Sequence, residues 1–321
     1  MKKSESSLTS SQKSVPFYDE ADPHLNDKSR YYYVADASML IDDVQLSILP
    51  FPDQAKDYEI KLTCSDATVE ALIIDAIEIR YGREDLTFSL FEFFKQCAGV
   101  LMAYGQAAYE IVYLSTSEGK IDSVRLSLIA PSGFVVKKGK FQQYQMIPTS
   151  DGPNASERFV DLPAESVLLF ELPENIKAGH DQMMQSLVFV GENIFPEFAI
   201  PNMLNPTVPF SHDDYSLSRK IAIAKATQHI GWNARNYDTE HRFEHYVWHR
   251  QLIFYKFLCI LRERILQTLN EGLTRIGSRM GFSAELSFEN LPTANDVDTA
   301  LQKLHNGDLK TFNEVLKPFR P

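Results

Sequence analysis

The chain of 321 residues holds 43 acidic side chains against 32 Lys and Arg, a formal net charge of −11. That sign excludes a surface built to wrap nucleic acid, which needs clustered cations. Hydrophobic residues at 44% and charged residues at 23% are enough for a real core and exclude disorder of the whole chain.

Residues 1–30 are rich in Ser, Lys and Asp and poor in aliphatics, so a disordered tail is expected there. The Met-Lys-Lys start runs into serines without an apolar stretch, so no secretory signal is expected. No uninterrupted apolar run approaches the roughly 18 residues of a membrane span. Order is expected to begin near Tyr31-Tyr32-Tyr33. Val69, Leu72, Ile73, Ala76 and Ile77 repeat at helical spacing and predict a helix over 66–81, with Gly82 behind it. A second helix is predicted over 87–104, closed by Gly105. Its Leu90, Phe91, Phe93, Phe94, Cys97, Leu101 and Met102 leave almost no polar face, which makes it central to a core.

The period then changes to two. Strands are predicted over 109–114, 122–130, 133–137 and 141–147, punctuated by Glu118-Gly119 and Lys138-Gly139 as hairpin turns. Val124, Leu126 and Leu128 alternate with Arg125 and Ser127, as expected of a sheet with one buried and one wet face. Residues 150–156 read as a loop and 166–172 as a further strand. Five prolines keep 173–214 irregular, with a short helix at most over 182–190. Helices follow over 216–229 and 239–272, the latter carrying the stripe Phe254, Leu258, Leu261, Ile265 and Leu269. A strand over 284–288, a helix over 295–304 and a capping box at Thr311 and Glu314 complete the chain.

Candidate chemistry is sparse. His241, Glu244 and His245 form an H-x-x-E-H string, the inverted zinc-hydrolase motif, continued by His249. Their helical sector also holds Lys256, Glu263 and Gln267, opposite Phe254, Leu261 and Ile265, so the imidazoles lie on a polar face rather than in a dry cavity. A metal site would need a further ligand, for which Glu314 is a distant candidate. There is no Gly-rich phosphate loop and no G-x-S-x-G elbow. Cys97 sits in an apolar helix and reads as a core thiol. Cys64, Cys97 and Cys259 are odd in number and lack CxxC spacing, which fits packed thiols in a reducing compartment. Arg262-Glu263-Arg264 reads as a solvated face. No cofactor is expected, and the residues point to an assembly subunit that works by geometry rather than an enzyme.

Three stretches carry a resemblance. The first is Leu101-x-x-Tyr104-Gly105-Gln106-Ala107-Ala108-Tyr109-Glu110-Ile111, followed by Gly119-Lys120-Ile121 and Leu128-Ile129-Ala130-Pro131. The second runs from Gly139 and Tyr144 through Leu162-Pro163 to Val167-Leu168-Leu169-Phe170. The third is Leu304-x-x-Gly307-x-x-x-Thr311-x-Asn313-Glu314-Val315. In this order they resemble the portal (head-to-tail connector) proteins of tailed bacteriophages, over 86–170 and 251–321.

The resemblance implies an α+β fold: a portal-like wing domain with a small antiparallel sheet and packed helices, plus long C-terminal, stem-like helices. It divides the chain into the tail (1–30), the wing (31–172), an irregular clip-like segment (173–214) and a helical stem and wing-return with the C-terminal segment (215–321). It implies a homo-oligomeric ring of about twelve copies at a capsid vertex, present in the virion and in host cytoplasm during assembly. DNA would pass through the ring, and its partners would be the terminase large subunit, a head-tail adaptor and the major capsid protein, with no membrane. Asn233, Arg235 and Asn236 would belong to a loop facing the channel. Two other readings stay open: a zinc-dependent hydrolase on His241, Glu244 and His245, and a scaffold or adaptor with no nucleic-acid role.

Overall fold

A computed structural model describes residues 28–52, 59–64, 67–77, 85–115, 121–148, 155–193, 212–235 and 244–307. In chain order the elements are α1 (Ala35–Ser47), β1 (Glu59–Cys64), α2 (Ala67–Ile77), α3 (Leu86–Tyr104), β2 (Gln106–Ser115), β3 (Ile121–Leu128), β4 (Phe134–Lys137), β5 (Lys140–Pro148), β6 (Ala155–Leu162), β7 (Val167–Glu171), α4 (Glu174–Asn193), α5 (His212–Ala226), α6 (Glu244–Met280), β8 (Ala284–Glu289) and α7 (Ala294–His305). The fold is α+β, its strands forming small antiparallel sheets in the orders β1-β8, β3-β2-β7 and β4-β5-β6.

The core forms around α3. Asp85 opens this helix by accepting a hydrogen bond from the Phe88 amide at 2.8 Å. Gly105 closes it in the left-handed region at φ 80°, its N–H donating to the Leu101 carbonyl. Length and hydropathy alone would let α3 cross a membrane, but 72% of it is buried within this fold. It is covered by α1, α2, β2, β7 and α6. Phe93 packs against Tyr109 and Phe170 at ring separations of 5.0 and 5.9 Å, which joins α3 to β2 and β7. A smaller core lies beyond the sheet, where Phe134, Phe141 and Leu162 of β4, β5 and β6 pack on Ala108, Ile129, Val167 and Leu169.

Several elements differ from expectation. Helix α1 and strands β1 and β6 stand where no element is expected, and α4 makes 20 helical residues where a short helix at most over 182–190 is expected. Helix α6 ends later than 239–272, and residues 239–243 lie outside the described residues. Cys97 and Cys259 are buried and Cys64 is half-buried, all as free thiols. Residues 1–27 of the tail, residues 150–154, Gly82, Gly119, His241 and the Thr311–Glu314 box lie outside the described residues, while Lys28–Tyr32 form a short 3-10 helix where the tail is expected to run to residue 30.

Helix α1 is tied to α5 by Asp36, fully buried, whose carboxylate accepts from Arg219. Its second oxygen, Oδ2, meets no hydrogen-bond donor among the described residues. Burial pushes the Asp36 carboxyl above its ordinary value of 3.8, against the opposing pull of Arg219. A carboxyl raised in the folded state contributes stability below pH 3.8 that is lost as pH rises through its folded value. Asp36→Asn is therefore expected to unfold at a higher temperature than the parent at neutral pH. Melting curves across the acid range should show that gap closing below pH 3.8.

Candidate functional site

The sequence marks two neighbourhoods, the turn after α5 and the head of α6, and the fold brings them together. Helix α5 ends at Ala226. The chain then reverses through 227–235, and Gly231 at φ 73° makes the reversal possible. A Cβ at Gly231 would stand 2.4 Å from the Arg250 carbonyl oxygen and 2.7 Å from the Ile253 Cβ. The turn therefore lies directly on the backbone of α6.

Arg250 holds it there. The guanidinium is 4% exposed and donates to the carbonyl of Ala224 at 3.1 Å, the hydroxyl of Thr227 at 3.1 Å and the carbonyl of Trp232. Thr227 Oγ1 lies 2.8 Å from both the Ile223 and the Trp232 carbonyl oxygens, so its single proton serves one of them at a time. A buried cation surrounded by carbonyl dipoles recovers part of the hydration it lost, and the carbonyls of Ala224 and Trp232 each gain a donor.

From the other side Asp43 of α1 closes the turn. Its Oδ2 accepts the indole N–H of Trp232 at 2.8 Å, and its Oδ1 accepts Arg235 Nε at 2.7 Å with Nη2 at 2.6 Å. Ala234 and Arg235 both adopt left-handed backbone, φ 52° and 55°, a conformation that costs L-residues about 1–2 kcal/mol each. That cost is met by the contacts on either side, and the result is an Arg235 side chain 54% exposed at the tip of a locked turn. Asn233 is buried within the same turn, and Asn236 lies outside the described residues.

Of the H-x-x-E-H string, only the His245 side chain is among the described residues. His245 is exposed and His249 half-buried on the first turns of α6, and the ring of His305 from α7 approaches them edge-on at 6.3 and 5.8 Å. Burial, then the nearby charges of His305, His245 and Arg250, hold His249 below its ordinary value. The Glu244 side chain lies outside what is described. Among the described residues no three His, Cys, Asp or Glu side chains are placed to hold a metal ion.

Along α6 the predicted wheel holds: Leu261 and Ile265 are fully buried, and Lys256 pairs with Asp298 of α7 at 2.7 Å. Arg262 corrects it. This residue is 2% exposed and donates to the Pro292 carbonyl and to Cys259 Sγ. Its place on the apolar side of the helix comes from falling between Leu258 and Ile265 on the stripe. Arg250 falls on that stripe too, four residues before Phe254, and this was the available signal for a cation turned inward.

No protein-family model matches the chain, and no curated protein matches it. Among solved structures it is similar to a chain in the virion of a native gene transfer agent particle, at 12% identity and TM-score 0.46, over 92% of this chain and 94% of that one. It is similar to a chain in the neck of a native gene transfer agent particle resolved with C12 symmetry, at 11% identity and TM-score 0.46, over 91% and 93%. An HK97-family phage portal protein from Corynebacterium diphtheriae is similar at 10% identity and TM-score 0.37, over 84% and 96%.

Gly231→Ala tests the locked turn. The added methyl meets backbone on α6 and the φ is unfavourable for alanine, so a loss of about 3 kcal/mol is expected in urea unfolding. The same substitution at Gly139, also at positive φ but with nothing within 4 Å, should cost only about 1 kcal/mol.

Proposed function

We propose that this chain is a ring-forming subunit of portal type, set at the vertex of a phage or phage-like capsid and surrounding the path of DNA. One observation carries the reading. The Leu101–Ile111 string falls where α3 ends on left-handed Gly105 and enters β2, the central strand of β3-β2-β7. The second string supplies β7, which pairs with β2 from Ala107↔Phe170 to Glu110↔Val167. Strings separated in sequence thus meet in one sheet on one helix, in the order of the resemblance.

In this reading residues 31–172 form the wing, and 173–214 supply the face that meets the packaging motor and the head-tail adaptor, with α4 as its first half. Residues 215–321 form the stem and the return to the wing, with α5 as the stem helix and α6 as the long return. The turn bearing Arg235, flanked by Asn233 and Asn236, faces the channel. The mechanism is electrostatic and steric. A net charge of −11 on every copy gives a wall that repels phosphate, so DNA slides rather than sticks. Arg235, already neutralised on one side by Asp43, touches the backbone weakly and transiently. The repulsion between acidic copies is offset by apolar surface buried between them.

Negative-stain microscopy of purified protein, with its mass in solution, tests the reading. Closed rings with a central hole are expected. A compact monomer at every concentration, with or without capsid or scaffold components, would overturn it.

A further inference from the structure

Two surface features at opposite ends of β3 complement each other. The first is a groove of about 530 Å³ between α2, the start of β3 and the turn after α6. It is lined by the apolar Val69, Leu72, Met280 and Phe282 together with the polar Thr68 and Ser123 and the exposed carboxylates of Asp75 and Asp122. The second is the tip of the β4–β5 hairpin. Val135 and Val136 are 37% and 44% exposed on the edge strand β4, and Lys137, Lys138 and Lys140 follow directly, all exposed.

The hairpin is a rigid projection. Lys137 pairs with Lys140 across a two-residue turn, and Lys138 and Gly139 both take positive φ, 51° and 75°. That is the geometry that matches the twist of paired strands. Three cations within four residues are a strong local inversion of sign on a chain of net charge −11. None of Asp75, Asp122, Lys137 and Lys138 makes an ion pair among the described residues.

The two features cannot meet within one molecule. Asp122 begins β3, and Ile129 at its other end packs under the hairpin sheet through Phe134. Seven residues of extended strand separate them by roughly 24 Å. A knob with exposed valines and cations at one end and a groove with apolar and anionic side chains at the other are complementary between copies, head to tail. Such a heterologous contact repeats around an axis and closes into a ring or runs on as a filament. We infer that the β4–β5 hairpin of one copy seats in the α2–β3 groove of the next, with Val136, the more exposed of the two valines, against the groove's apolar side chains and Lys137 and Lys138 against Asp75 and Asp122. This contact rests on the ring reading above and specifies which surfaces make it.

Charge reversal on each side tests it by mass photometry against concentration. Lys137→Glu with Lys138→Glu sets acid against acid, and Asp75→Lys with Asp122→Lys sets cation against cation. Each double variant alone is expected to need at least roughly tenfold more protein to assemble than the parent. An equimolar mixture is expected to assemble again, because every hairpin then finds a groove of opposite sign on the other variant, and this restoration also shows that both are folded. If the parent assembles and both variants assemble at its concentration, the hairpin contact is overturned and the ring reading stands. Lost assembly that mixing does not restore also overturns the contact. A parent that never assembles, with or without capsid or scaffold components, removes the ring reading and the contact together.

Discussion

Phe93, Phe94, Met102 and Ala103 lie on different sides of α3, and all are shut away from water. A helix without a polar face has to be covered in every direction, and the rest of the chain is arranged to do so. α1 and α2 cover it from the N-terminal part, β2 and β7 from the sheet, and α6 from the C-terminal third. Segments far apart in sequence are thereby held around one cylinder. Each covering element then has an outer face left for other work: α1 turns Asp43 to the turn before α6, α2 lines the acidic groove, and β2 carries the sheet on which the β4–β5 hairpin rests.

The elements that could be read from the residues are those whose apolar pattern is uninterrupted. α3, β2, β3 and α7 belong to this class. α1 escaped detection because its pattern is broken by Asp36 and Asp43, and both acids turn towards partners instead of standing in water, one meeting Arg219 and the other Trp232 and Arg235. The first half of α4, before the short helix expected over 182–190, escaped for a related reason. His180 sits in its buried stripe, with Nε2 2.7 Å from the Met102 carbonyl oxygen, so a core position looks polar. α6 runs past Gly272 because that glycine is a point of close approach, where a Cβ would meet the Leu168 side chain at 2.7 Å, and not a helix end. β1 has no local signal to offer, since its partner β8 lies almost at the other end of the chain.

The candidate site was legible in the same uneven way. Arg235 stood out as a cation among turn residues, but its partner Asp43 comes from an element that was not expected. The helical spacing of His245 and His249 was visible, whereas the approach of His305 depends on how α7 packs on α6. Arg250 and Arg262 look like surface charges by composition, and only their register on the apolar stripe reveals them as buried. Polar residues that serve the interior are what single-sequence reasoning reads least well, because their partners are supplied by the fold.

Helix α6 is 37 residues of unbroken helix, a strut of about 55 Å. Its head lies against the turn that presents Arg235, and its last residue, Met280, lines the groove beside α2. A strut clamped at one end by Arg250 and at the other by Arg275 on the Val167 carbonyl does not absorb displacement along its axis. Load applied at the groove is delivered at the Arg235 turn with the strut's own stiffness. If the Arg235 turn faces the bore and the groove forms the seam between neighbours, as proposed, the two are ends of the same lever.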